Sequence, residues 1–534
     1  MYLRASEKAS GVANFQSAVG NKLIRREMIT KALHEGLSPR HGLEPMHFQY
    51  SKSLEKPLVV GVLGAGQQGL RLLAAMNPAF ITVKAIADIR PSNRNLSLKA
   101  LRSLPAYKDK WTTDDDVKKD IRVHDSYEKL LAAAKADGLE AVVIALPSHL
   151  HAPAALAALD AGLHVFVETP MALTVADAKK IARKAAEKKL VVAVGQQRRY
   201  NWVYDHALEM VRKDLLDQVH YIRSQWHLAK PEEKVAGETG SAKAEDEKPA
   251  AKEDAKKLKI DWWQEVPKEE RELKFAGYAN PEELVHWRLY EKYSGGLLAE
   301  LGSQLFDAAV MFVSTSPNHD PQRPYPISVA GSASQVLRKA AGDIDDHVHC
   351  VFEYAIQGYV DDPSIPPKAR KKIAVQFDMI IGSEFDGYGE TVLGRKGSLV
   401  LEDEQKGMLF YMADVDKSLR VVGKKTGEGK DAKTVPAIEV PKDGKADEES
   451  ESLGRLALQG ADAGFAAELE HWAFCCKPPA DGKGDHKPRC DAESGLYTTV
   501  LTVAAANALK QEKRVDFKKE WFDVKSEETP DEPR

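Results

Sequence analysis

Cysteine is scarce in this chain. Only Cys350, Cys475, Cys476 and Cys490 occur in 534 residues, which excludes a disulfide scaffold and fits a reducing compartment. Cys475 and Cys476 are adjacent, no C-x2-C pair is present, and neighbouring helical positions point about 100° apart. These two with His486 and Cys490 therefore make a poor zinc site, and no metal is expected. An excess of charge of either sign is also lacking: 76 Lys and Arg stand against 80 Asp and Glu, a net charge of −4. Without a basic field, neither nucleic acid nor an anionic membrane surface is an expected partner, and small ligands fit better. Nor does any run approach the roughly 18 apolar residues of a membrane span. Arg25 and Arg26 resemble a twin-arginine export signal, but His34, Glu35, Arg40, His41 and Glu44 follow where an apolar segment belongs. A cytoplasmic protein is expected, with export as the alternative, and residues 1–55 are read as an N-terminal extension.

What the chain does have is 43% hydrophobic residues, enough to build two large cores. From Pro57 to about Gly195, short β-branched runs alternate with longer amphipathic ones, the signature of βαβ units on a parallel sheet. Strands are expected at Leu58 to Leu63, Thr82 to Asp88, Ala141 to Leu146, His164 to Glu168 and Val191 to Gly195. Helix starts are expected at Asp125 with Glu128 and at Thr174 with Asp177, and a stop at Gly162. Beyond Gly195 the period changes to two, over Val219 to Leu228, Ile327 to Val336, His347 to Tyr354, Ile373 to Ile380 and Gly387 to Leu401. This predicts a C-terminal α/β domain with a large, mostly antiparallel open sheet. The helical segment Ala463 to Cys476 puts Phe465, Leu469, Trp472 and Cys476 on one face, expected to pack on that sheet. The domains are thus 56–195 and 196–522. Residues 229–259 form a low-complexity insertion, 416–452 a polar excursion and 523–534 a polar tail.

The strongest motif is Gly64-Ala65-Gly66-Gln67-Gln68-Gly69, entered from a strand and left on a helix. In a dinucleotide-binding turn Gly64 permits the tight bend, Gly66 lets backbone approach a pyrophosphate, and Gly69 allows helix to pack on strand. Asp88 ends the next strand, where a carboxylate can take hydrogen bonds from a ribose. This favours NAD over NADP; Arg90, two residues on, is the one group able to reach a 2′-phosphate instead.

Three further segments, Ala145-Leu146-Pro147-Ser148-His149-Leu150-His151, Val167-Glu168-Thr169-Pro170 and Gly195-Gln196-Gln197-Arg198-Arg199-Tyr200, follow in the order seen in Gfo/Idh/MocA oxidoreductases, which this chain resembles. The resemblance implies a Rossmann domain holding NAD, a homo-oligomer assembled through the open sheet, and a sugar or cyclitol substrate. It also implies that Leu146, Pro147, His149, His151, Glu168 and Gln197 line the cofactor. In the second domain Glu300, Gln304 and Asp307 recur at i, i+4 and i+7, a polar stripe on an apolar helix. At the three positions members of the family commonly carry an acid, a catalytic histidine and a second acid. Two departures stand out: the usual Lys is Thr169 and the usual His is Gln304. Neither neutral side chain is an ordinary base near neutral pH. The candidate catalytic set is Thr169, Gln304, Glu300 and Tyr200, with His149, His227 and His286 as further replacements for the missing base. Arg198, Trp226, Trp287, Arg288 and Asp307 are the candidate substrate residues.

The leading expectation is an NAD(H)-dependent oxidoreductase acting on a sugar, cyclitol or derivative. Two alternatives are an NAD-retaining glycosidase that oxidises its sugar transiently, and a catalytically weak NAD-binding sensor or partner protein, to which Thr169 and Gln304 lend support.

Overall fold

The computed structural model describes residues 53–531 except 105–106, 108–109, 215, 229–261, 337–341, 361, 363, 367–369, 384, 405, 412–417, 427–432, 440–463, 479–483 and 485. The low-complexity insertion and nearly all of the N-terminal extension lie outside the described residues. Six parallel strands, β1 (Leu58–Leu63), β2 (Ile81–Ala87), β3 (Arg122–His124), β4 (Ala141–Ile144), β5 (His164–Glu168) and β6 (Val192–Gly195), stand in the order β3-β2-β1-β4-β5-β6. The reversal between β1 and β4 is the topological switch point at which such folds bind dinucleotides. β1, β4 and β5 are apolar on both faces because helices cover both. Those include α1 (Gln67–Ala75) and α2 (Val175–Lys188), the latter capped by Thr174 as expected. The other start moves by one residue: Ser126, not Asp125, accepts the capping hydrogen bond, from Lys129 N.

The second sheet has ten strands. Its centre is β7 (Val219–Leu228), β8 (Ser328–Ser334), β9 (His347–Ala355) and β10 (Lys372–Ile381). β7 and β10 pair in parallel, and the remaining pairs are antiparallel. The run Gly387 to Leu401, read as one strand, is a hairpin of β11 (Tyr388–Gly394) and β12 (Gly397–Glu402) turning at Arg395 and Lys396. Beyond β12 the sheet continues through β13 (Lys406–Tyr411), and the polar stretch read as a surface excursion adds β14 (Ser418–Thr426) and β15 (Lys433–Glu439), each paired with the one before. At the other edge the two-residue β16 (Val515–Asp516) pairs with β8.

The helix α3 (Ser303–Thr315) packs on the inner face of this sheet, Phe306 lying edge-on to Phe377 at 4.7 Å and tilted against Phe352 at 5.2 Å. The run Glu291–Thr315 is long and apolar enough to cross a membrane by length and composition, yet 78% of its 18-residue window is buried within the protein. The helix α4 (Phe465–Cys476) departs from expectation. It covers the Rossmann sheet, where Phe465, Leu469 and Trp472 share a core with Val60, Val62 and Phe166, and Trp472 meets Phe166 edge-on at 5.6 Å. The chain then crosses back through α5 (Ala492–Lys510), buried against both sheets. The polar tail also docks. Asp531 accepts from Val175 N and Ala176 N at the start of α2, and the buried Lys179 ammonium donates to two tail carbonyls, of Ser526 and Glu528, and to that of Glu520 just before the tail.

Candidate active site

The glycine turn has the geometry its motif predicts. Gly64 sits at φ +92, and a Cβ there would meet Ala145 O at 2.3 Å; a Cβ on Gly69 would meet Gly64 O at 2.1 Å. At Gly66 the nearest atom is Asn93 Nδ2, 3.7 Å away, so a side chain would fill open space beside the turn. No side chain caps α1 and no acid sits in its first turn, which leaves its positive end to an anion. That cradle fits a pyrophosphate.

Asp88 closes the turn from below. Its carboxylate accepts from Ala65 N and Arg90 N at 2.8 Å and from Asn93 Nδ2 at 3.0 Å, three of its roughly four acceptor positions. Burial raises its pKa against the pull of these donors. Arg90 is not available to swing outward. Its Nε donates to Glu270 Oε2 at 2.9 Å, and the other oxygen of Glu270, which is 0% exposed, accepts from Ser92 N. Glu270 comes from the second domain's connection after the insertion, and no local motif marks it.

Between the C-terminal ends of the Rossmann strands and the second sheet lies a cavity of about 970 Å3. Leu146, Ser148, His151, Glu168, Thr169 and Gln197 form its Rossmann wall; Glu300 and Gln304 face them, and Trp226, Trp287 and Arg288 close it on the other sides. The candidate catalytic residues Thr169, Glu300 and Gln304 therefore meet here with part of the expected cofactor and substrate sets. Gln196 Nε2 donates to Thr169 Oγ1 at 3.0 Å, and the Gln304 and Gln197 side-chain amides lie 3.3 Å apart. The two positions lacking a base are thus tied into amide contacts. Glu300 accepts from Ser148 Oγ at 2.6 Å and from Arg288 Nε at 2.9 Å, while burial raises its pKa. His151 sets both ring nitrogens against carbonyls, of Pro170 at 2.8 Å and Leu146 at 2.7 Å; burial pulls its pKa down, and a neutral ring donates to only one of them.

Several expected residues lie outside the cavity lining, Pro147 among them. A π turn over Leu298–Gly302 carries Glu300 and precedes α3, on which Gln304 lines the cavity and Asp307 does not. Asp307 instead pairs with Arg199 at 2.7 Å, fully buried. Arg198 is buried beneath Trp226, bound to Glu390 at 2.8 Å and Glu404 at 2.7 Å, so it reaches the cavity only through Glu404. Tyr200 is outside the cavity wall, its hydroxyl accepting from Arg489 N at 2.9 Å and facing His471 Nδ1 at 3.1 Å. His149 packs against Tyr293 at 4.9 Å, and burial pushes its pKa down to about 4. Of the other histidines, His286 bonds the Gln264 carbonyl, whereas His227 lines the cavity with Nδ1 on the Phe385 carbonyl at 2.6 Å.

The group best placed to take a proton is Glu168. Its side chain is at the cavity wall yet its residue is only 6% exposed, and burial, reinforced by the nearby Glu300 charge, pushes its pKa up to about 7 against the Gln68 hydrogen bond at 2.7 Å. Behind it the buried Glu468 of α4 accepts from Gln196 N at 2.6 Å; burial and the Glu168 charge hold its pKa well above the usual carboxylate range. Arg71, Trp262, Trp263, Tyr388 and Glu404 also line the cavity. Only the adjacent tryptophans, directly after a low-complexity stretch, carried a sequence signal.

A six-stranded parallel sheet with a glycine cradle at its switch point, closed by a second open-sheet domain, defines a two-domain dinucleotide-binding protein. Residues 58–196 match the Gfo/Idh/MocA family, described as oxidoreductase family, NAD-binding Rossmann fold. The 4-carboxy-2-hydroxymuconate-6-semialdehyde dehydrogenase of Sphingobium sp. (strain NBRC 103272 / SYK-6) is 42% identical over 72 residues, 14% of this chain and 23% of that protein. The chain spans about half or less of the length of the curated relatives it matches. Among solved structures, a putative myo-inositol dehydrogenase from Sinorhizobium meliloti 1021 aligns with TM-score 0.50 at 17% identity, over 86% of this chain and 100% of that one. A levoglucosan dehydrogenase in complex with NADH and levoglucosan aligns with TM-score 0.52 at 16% identity, over 86% and 99%. At these identities the structures show a shared fold.

Proposed function

We propose that this protein is an NAD-dependent dehydrogenase of a polyhydroxylated substrate, a sugar or cyclitol derivative. The observation that carries the reading is the cavity itself: Glu168 and Thr169 at the end of a Rossmann strand face tryptophans and an Arg288–Glu300 pair across about 970 Å3. Aromatic faces suit the apolar faces of sugar rings, and paired charges suit their hydroxyls. When bound, the nicotinamide supplies the hydride acceptor. Gly64, Gly66 and Gly69 with the start of α1 would hold its pyrophosphate, and Asp88 the adenosine ribose. Because Arg90 is committed to Glu270, a second buried carboxylate adds to Asp88 on this side, and NAD is preferred over NADP. Glu168 accepts the proton of the substrate hydroxyl on its carboxylate, a role that neither Thr169 nor Gln304 can fill. Thr169 and Gln304 orient hydroxyls. The test is NADH formation with NAD across a panel of sugars and cyclitols. Turnover on at least one supports the reading, and NAD binding with no turnover on any of them overturns it.

A further inference from the structure

Resting on that carbohydrate reading, we infer that the substrate is a glycoside of at least two rings that carries no anionic group. Three observations converge. The first is room: about 970 Å3 lies at the upper end of the roughly 300–1,000 Å3 range of small-molecule sites, more than one ring and a nicotinamide require.

The second is the placement of aromatic rings on separate walls. Trp262 and Trp263, near-parallel with centroids 6.3 Å apart, and Trp287 come from the connection between β7 and α3. Trp226 and Tyr388, stacked at 4.9 Å and 18°, come from β7 and β11 of the sheet. One face of Trp226 is taken by Tyr388, and the Arg198 guanidinium lies 5.3 Å from its ring, so Tyr388 is the platform on the sheet side. Two platforms on different elements suit two rings better than one.

The third is charge. Among the described residues that line the cavity, six are carboxylic, including Asp386, Glu402, Asp403 and Glu404 along the sheet wall, and only Arg71 and Arg288 are cationic. Arg288 is bound to Glu300 at 2.9 Å. Asp386 is paired with Arg223 at 2.9 Å and Glu404 with Arg198 at 2.7 Å, yet with these and Arg71 and Arg288 counted the six carboxylates still outnumber four guanidiniums, so a uronate or phosphate against the sheet wall meets an excess of like charge, which disfavours such ligands.

The experiment is calorimetry on the NAD-loaded protein with glucose, glucuronic acid, glucose 6-phosphate and the neutral disaccharides cellobiose, lactose, maltose and trehalose, alongside NADH formation. At least one disaccharide is expected to bind tenfold or more tightly than glucose, and both anions tenfold or more weakly. Tyr388→Ala and Trp263→Ala should each cost the disaccharide about tenfold or more, and at least threefold more than they cost glucose. NAD titration of the same samples confirms that each variant is folded. Neutralising the wall with Asp386→Asn and Asp403→Asn should narrow the gap between glucuronic acid and glucose. Anions that bind as well as glucose, or disaccharides that gain nothing over it while glucose or an inositol still reduces NAD, overturn this inference and leave the dehydrogenase reading standing. Absence of both sugar binding and NADH formation overturns the two together.

Discussion

The two ends of the cofactor site are built from different materials. At the adenosine end, recognition is a property of the backbone: the bend at Gly64, the open space at Gly66 and the uncapped start of α1 leave few alternatives to glycine. At the reacting end, recognition and chemistry belong to side chains, which other side chains can replace. The Rossmann turn is therefore complete while the two usual bases are absent, and Glu168, on the strand next to Thr169, is left as the buried carboxyl with a pKa near neutrality. A backbone solution persists as a motif, whereas a side-chain solution has to be found in space.

The sharpest way to break this contrast is Glu168→Gln. NADH formation should fall by roughly 10² to 10⁴-fold, and the rise of kcat/KM near pH 7 should vanish. A loss under threefold would place the proton elsewhere, with His227 next to replace. The same change should stabilise the fold. The native carboxyl is raised from about 4.5 to about 7, so the folded state holds its proton where the unfolded state has lost it, and stability drains away as pH rises across that window. The amide variant escapes the loss, gaining up to about 3 kcal/mol at pH 8 and little at pH 4, read by urea unfolding. A backbone counterpart is Gly66→Val. NAD affinity should drop about 100-fold or more, or ~2.7 kcal/mol, with the unfolding midpoint nearly unchanged because a Cβ there comes within 4 Å of no further protein atom than Asn93 Nδ2. Equal loss of stability would show that the space at Gly66 serves packing. Smaller effects are expected where one side chain substitutes for another. Thr169→Lys with Gln304→His, placed in the Glu168→Gln background, should restore turnover about tenfold by supplying a new base; no recovery would mean the cavity no longer accommodates one there. Finally, Glu270→Gln frees Arg90 and should shrink the preference for NAD over NADP by about tenfold, ~1.4 kcal/mol, in paired titrations. An unchanged ratio would assign discrimination to Asp88 alone.

The same division explains what could be read from the chain. Five of the six Rossmann strands, the glycine turn, Asp88 and the Thr174 cap are local signals, each found within a residue or two of its expected place, while the three-residue edge strand β3 was not anticipated. The second domain's central strands follow their period-two pattern, with β7 at its expected bounds. What failed was nonlocal. The Gly387 to Leu401 run hid a hairpin because Gly394-Arg395-Lys396-Gly397 interrupts a continuous alternation without proline or a long polar break. The apolar face of α4 was visible, but not which of two sheets would receive it. Asp307 was placed on the cavity face by a 3.6-residue period, but it is engaged by Arg199, 108 residues away in the chain, and buried. Glu270 and Glu404 lie in irregular segments and acquire meaning only from Arg90 and Arg198, 180 and 206 residues away.

The position of α4 has a consequence for how the protein comes into being. The dinucleotide fold ends its last strand at Gly195, yet one face of its sheet is covered only in part, by residues such as Leu72, Leu73, Leu98 and Leu101, until Phe465, 270 residues later, arrives with Trp472 to lie on Phe166. At a synthesis rate of roughly 5–20 residues per second, that is on the order of tens of seconds during which the nascent chain presents Phe166 without this last part of its cover. A fragment ending near Gln196 would be held permanently in that condition. The most recognisable part of this protein is thus among the last to be finished, and its maturation on the ribosome must wait for the substrate domain to be threaded out between its two halves.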